Sequence, residues 1–164
     1  MSPGPNLSSP SAVVSRTIQS ASAEATRALA ARLASAARPG DLIALTGDLG
    51  AGKTQFAKGF ATGLGIGATV NSPSFVLMTE YLGRLPLFHL DLYRLADGAD
   101  AWSSGLIDDR QVDGVTVVEW AERLGEALPA TRLAVHIEGT GDDPRAISLT
   151  APSPGYERYL EALG

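Results

Sequence analysis

Residues 41–46, Asp-Leu-Ile-Ala-Leu-Thr, form an apolar run bounded upstream by Pro39 and Gly40. The absence of polar alternation predicts a short strand buried on both faces, as in a parallel sheet. Over residues 53–64 the period changes: Phe56, Phe60 and Leu64 recur every four positions and Gly63 and Gly65 close the stretch, which predicts a helix. Residues 20–37 are Ala-rich, with Ala25, Leu29, Arg32 and Leu33 at helical spacing, Ser20 or Ser22 as N-cap and Glu24 in the first turn. Residues 75–81 and 85–91 are strand-like and are joined by Leu82-Gly83-Arg84, a link short enough for an antiparallel hairpin. In the second run the period of two puts Leu87, His89 and Asp91 on one face and Phe88, Leu90 and Leu92 on the other. A valine-rich strand is expected at 114–120, two more at 132–138 and 145–150 around a turn at 141–144, and a closing helix at 156–163. Residues 16–19 suit a short edge strand, and the acidic stretch 96–110, with Trp102 and Leu106, a short helix or two. The sum is an α/β chain with a mostly parallel sheet that contains an antiparallel hairpin.

Composition narrows this picture. At 164 residues with 45% hydrophobic positions the chain suits one domain, expected over residues 16–164. Residues 1–15 carry Pro3, Pro5, Pro10 and several serines but no cationic start and no apolar core of a signal, so they read as a disordered extension. A net charge of −5 argues against this chain gripping a long nucleic acid by itself, so any nucleic-acid role would run through a partner. With no cysteine and two histidines, neither a disulfide framework nor a thiolate or His-rich metal site is supported. No apolar run approaches the roughly 18 residues of a membrane span, and cytoplasm is the default location.

The chemistry is stated by residues 47–54, Gly-Asp-Leu-Gly-Ala-Gly-Lys-Thr, which fill every fixed position of the pattern G-x-x-x-x-G-K-[ST]. Glycines let successive amides of Asp48, Leu49, Gly50, Ala51 and Gly52 turn around phosphates. Lys53 brings a positive charge to the outer phosphates, and the Thr54 hydroxyl can ligate Mg²⁺. Strand, glycine loop and helix follow in the order that aims a helix N-terminus at an anion. Such a loop needs a carboxylate at the end of a neighbouring strand, and two fit: Glu119, after Val115-Thr116-Val117-Val118, and Asp91, after Phe88-His89-Leu90. Ser72-Pro73-Ser74-Phe75 occupies the place of a loop that senses a γ-phosphate through a hydroxyl. His89 reads as a buried, hydrogen-bonded core residue, and Trp102 and Trp120 as packing residues.

Together, GDLGAGKT at 47–54, SPSF at 72–75, HLDLYR at 89–94 and VEWAE at 118–122 resemble the TsaE (YjeE) family, the bacterial ATPases of tRNA threonylcarbamoyladenosine synthesis. The resemblance covers about residues 16–138. It implies a three-layer P-loop NTPase fold with helices on both faces of the sheet, binding of ATP and Mg²⁺, and slow hydrolysis beside the partners TsaB and TsaD, which modify adenosine 37 of tRNA. Carried over, Lys53 and the loop amides hold the β- and γ-phosphates, Thr54 and Glu119 ligate Mg²⁺, and Asp91 is an essential carboxylate near the γ-phosphate. The family's base-binding region falls partly around residues 20–22. Ser74 stands where Thr is usual and keeps the hydroxyl; Ala121 stands where Pro is usual. Two other classes share the loop. A nucleoside or small-molecule kinase wants an arginine-bearing lid, for which residues 92–113 are short and Arg-poor; a GTPase-like switch wants N-K-x-D, which is absent from the chain.

Overall fold

A computed structural model describes residues 13–71, 78–93, 109–152 and 155–164. In chain order its elements are β1 (Val13–Ser20), α1 (Ala23–Ala34), β2 (Leu42–Gly47), α2 (Lys53–Gly63), β3 (Met78–Leu82), β4 (Pro86–Asp91), β5 (Val115–Glu119), β6 (Leu133–Glu138), β7 (Arg145–Pro152) and α3 (Glu157–Glu161), with 3₁₀ turns at Asp109–Asp113 and Ala121–Ala127. The strands form one sheet in the order β1-β7-β6-β2-β5-β4-β3. Its centre, β6-β2-β5-β4, is parallel, and both margins are antiparallel. The hairpin expected after the P-loop helix is β3–β4, with Met78 opposite Leu90.

The alternation read along β4 holds: Leu87 joins one core and Phe88, Leu90 and Leu92 the other. In β2, Ile43 and Leu45 face the larger core with α1, α2 and α3, while Leu42 and Ala44 face the smaller one. Among the described residues that second face is covered by Ala121 and Leu124 of the 3₁₀ turn rather than by an α-helix. The expected edge strand is longer than its sequence span. It begins at Val13, inside the stretch read as a disordered extension, because β1 pairs residue by residue with β7 from Val13–Pro152 to Ser20–Arg145. Ser22, not Ser20, caps α1, its Oγ accepting from the Ala25 amide at 3.0 Å, a contact worth about 1 kcal/mol.

Two glycines set how α2 lies. A Cβ on Gly59 would strike the Arg27 backbone and one on Gly63 the Ala31 carbonyl, so α1 and α2 cross in backbone contact. Among the described residues no helix is long and apolar enough to cross a membrane. The expected helices within 96–110 and the Ser72-Pro73-Ser74-Phe75 loop lie largely or wholly outside the described residues.

Candidate functional site

The carboxyl ends of the parallel strands gather the chemistry. Leu45 of β2 and Asp91 of β4 are both register partners of Glu119 of β5, so three adjacent strand ends bring the P-loop and both expected carboxylates to one place, where ligands bind in open α/β sheets. The loop leaves β2 through Gly47, with φ 143°, and a Cβ there would run into the Ile137 carbonyl. A cleft of about 340 Å³ follows, lined by Leu49, Gly50, Lys53, Thr54, Asp91 and Glu119, with Tyr93 and Trp120 on its far wall.

Lys53 is 4% exposed and donates to the Asp48 carbonyl at 2.9 Å and to the Gly47 carbonyl. The Trp120 ring covers the ammonium, with 4.0 Å from Nζ to the ring centroid, an arrangement whose attraction is the ring quadrupole. Burial pushes the Lys53 ammonium below its ordinary 10.5, while the carboxylates of Glu122, Glu119, Asp48 and Asp91 pull it back up. Trp120 was expected to pack, and it also roofs the lysine. It adopts φ 60°, ψ 42°, the left-handed region, as a non-glycine residue, which costs of order 1–3 kcal/mol and concentrates at functional sites. Tyr93 lies against it at 4.9 Å between ring centroids, and the Arg123 guanidinium sits 5.8 Å from the Trp120 ring centroid.

Thr54 Oγ1 donates to Glu119 Oε1 at 2.8 Å, and His89 Nε2 meets Glu119 Oε2 at 2.6 Å. His89 is fully buried and Glu119 nearly so, at 2%. Asp91 is half-buried, and its Oδ1 accepts the Tyr93 amide at 3.0 Å. The donor set suits Mg²⁺: hard oxygens of one hydroxyl and one carboxylate lie side by side in a cleft that also has room for phosphate oxygens. Of the remaining loop positions, exposed Asp48 contributes its carbonyl to Lys53, and Ala51 is buried. Ser74 lies outside the described residues.

One residue carrying the loop had no signal in the sequence. Arg145, at the start of β7, donates from Nε to the Ala51 carbonyl at 2.9 Å and from a terminal nitrogen to the Gly50 carbonyl at 3.3 Å, and also ties in the Asp143 and Gly141 carbonyls. It thus fastens the outer side of the P-loop to the β6–β7 turn. Beside it a second recess, also about 340 Å³, is lined by Ser22, Thr26, Gln55 and Asp143 and shares Gly50 and Gly52 with the first.

The family model "Threonylcarbamoyl adenosine biosynthesis protein TsaE" matches residues 20–147. The tRNA threonylcarbamoyladenosine biosynthesis protein TsaE of Bacillus subtilis (strain 168) is 48% identical over 141 residues, covering 85% of this chain and 88% of that protein. Its namesake in Streptomyces coelicolor is 41% identical over 131 residues, 76% of this chain and 88% of the other. The crystal structure of Bacillus subtilis YdiB superposes with a TM-score of 0.74 at 41% identity, over 93% of this chain and 95% of that one.

Proposed function

The chain belongs to the TsaE family of threonylcarbamoyl adenosine biosynthesis proteins, and from that premise we propose that it is a Mg²⁺-dependent ATPase that keeps a tRNA-modifying assembly turning over. The observation that carries the reading is the convergence of Lys53, Thr54, Asp91 and Glu119 on one cleft. In this reading the triphosphate lies along the loop, and Lys53 exchanges the carbonyls of Gly47 and Asp48 for β- and γ-phosphate oxygens. Thr54 and Glu119 hold Mg²⁺, which when bound neutralises charge on those oxygens. Glu119 already engages Thr54 and His89 and is almost wholly buried. Half-buried Asp91 is therefore assigned the orientation of the attacking water and the acceptance of its proton. Ser74 is assigned the γ-phosphate contact by its place in the chain. The second recess, next to the Ser22 cap, is assigned the nucleoside.

The chain does not handle the transferred group; its partners TsaB and TsaD modify adenosine 37, and tRNA is reached through them in the cytoplasm. The acidic net charge of −5 supports an indirect role at the nucleic acid. Reconstitution tests the whole reading. With TsaB, TsaD, tRNA and ATP, the wild-type chain should sustain many rounds of modification and show faster ATP turnover than alone. Lys53→Ala should stop the repeated rounds. Undiminished multiple turnover with Lys53→Ala, or no association with the partners in ATP, in ADP and without nucleotide, overturns it.

A further inference from the structure

From the P-loop threonine inward runs a chain of three side chains from three elements: half-buried Thr54 of α2, then buried Glu119 of β5 and His89 of β4. Glu119 as a carboxylate can only accept, so the proton shared with His89 belongs to Nε2. The other ring nitrogen, Nδ1, is buried and has no hydrogen-bond partner among the described residues. A core histidine retained for packing alone would normally satisfy both nitrogens. Among the described residues the ring makes one polar contact, the short bond to Oε2, and β4–β5 pairing of His89 with Val117 sets it behind the strand end that carries Glu119.

We propose that His89 is a positioning residue for Glu119: its Nε2–H fixes Oε2 on the core side so that Oε1 is held on the cleft side against Thr54 Oγ1. This rests on the Mg²⁺–nucleotide reading of the cleft. The bond removes the rotation of the carboxylate that would let either oxygen face Thr54. Partners that orient a ligating side chain in this manner affect metal affinity by about 10- to 100-fold when removed. His89 is fully buried and its ring bonds Glu119, so its effect reaches the cleft through that carboxylate.

The test separates cation from nucleotide. ADP affinity is measured by calorimetry in Mg²⁺ and in EDTA, for wild type, His89→Asn and His89→Gln. The Asn amide ends where Nδ1 lies and cannot reach Glu119, whereas the Gln amide reaches the position of Nε2 and can donate to Oε2. His89→Asn should lose roughly 10-fold of the Mg²⁺ enhancement with EDTA affinity unchanged, and His89→Gln should regain most of it. Equal loss in both media, or an unchanged enhancement in His89→Asn, overturns the proposal. A wild type that binds no ADP, or binds it identically in Mg²⁺ and EDTA, overturns the nucleotide reading as well. Should His89→Asn not melt cooperatively, wild-type nitrogen-correlated NMR decides, since the chain has two histidines. The His89 ring must carry its proton on Nε2, and that resonance must shift when Mg²⁺ joins bound ADP. A proton on Nδ1, or no shift, refutes it.

Discussion

Just before β2, Asp41 is buried against the Arg158 guanidinium, the Tyr159 hydroxyl at 2.5 Å and the Arg38 amide at 2.9 Å; beyond its other end, Lys53 is buried against two loop carbonyls and the face of an indole. Both groups are under a tenth exposed, yet the first is saturated by an opposite charge and two donors, while the second has no side-chain counter-ion in hydrogen-bonding contact among the described residues. A charge kept for architecture is given permanent partners. A charge kept for a ligand is given partners it can release: of the two residues whose carbonyls hold Lys53, Asp48 is exposed and its carbonyl can turn to water.

The sharpest way to break this contrast is to remove each charge. Asp41→Ala should lower unfolding free energy by about 3–5 kcal/mol, because it strands Arg158 and the Tyr159 hydroxyl. Urea titration checks this, and ADP affinity per folded molecule should not change. Lys53→Ala should leave the urea midpoint unchanged or raise it, while hydrolysis in the reconstituted assembly falls about 10²- to 10³-fold, the size of losing one preorganised charge-stabilising group. A stability loss in Lys53→Ala equal to that of Asp41→Ala would erase the distinction.

Alkaline titration sharpens it further. Burial, then the hydrogen bond to Asp41, push the Tyr159 hydroxyl far above its ordinary 10.0, so the unfolded chain loses this proton first. The stabilisation is complete below pH 10 and declines above it, by about 1.4 kcal/mol per pH unit. Tyr159→Phe should flatten that limb in melts recorded from pH 9 upward. Burial also raises Tyr156, whose hydroxyl accepts the Leu42 amide at 2.9 Å, so a shallower decline should survive in the variant.

The smallest predicted effect concerns the roof over Lys53. Trp120→Gly should be more stable than Trp120→Ala by about 1 kcal/mol, since both lose the ring and only glycine occupies φ 60° without a steric penalty. Equal thermal midpoints would show that the left-handed backbone stores no strain.

Much of the site was legible because its chemistry is local. The P-loop, the strand before it and the helix after it lie within residues 41–64, and their periods change where the elements do. Glu119 and Asp91 could be read because each closes an apolar run. The rest depends on long-range pairing that no local pattern encodes. Arg145 reaches Ala51 across 94 positions, and as one arginine at the head of a strand it looks like any solvated terminus. The extra residues at the start of β1, Val13, Val14 and Ser15, follow a stretch rich in proline and serine and so pass for part of a tail, and they pair with β7, more than a hundred positions away. His89 was read as a hydrogen-bonded core residue, but its partner, Glu119, belongs to a strand 30 positions on. Trp120 was read as packing because a side chain's period says nothing of a backbone in the left-handed region.

The glycine contact between α1 and α2 has a mechanical corollary. Lys53 and Thr54 begin a helix whose Gly59 and Gly63 lie flush on the backbone of α1, and α1 is in turn bound to the carboxyl terminus through Arg32 and the Leu163 carbonyl at 2.8 Å. At these two glycines no side chain lies between the helices to give way, so the P-loop wall of the cleft is stiff. The opposing wall hangs on Trp120 and a 3₁₀ turn anchored by Ala121 and Leu124. A ligand entering the cleft would therefore find more give on the Trp120 side than on the α2 side.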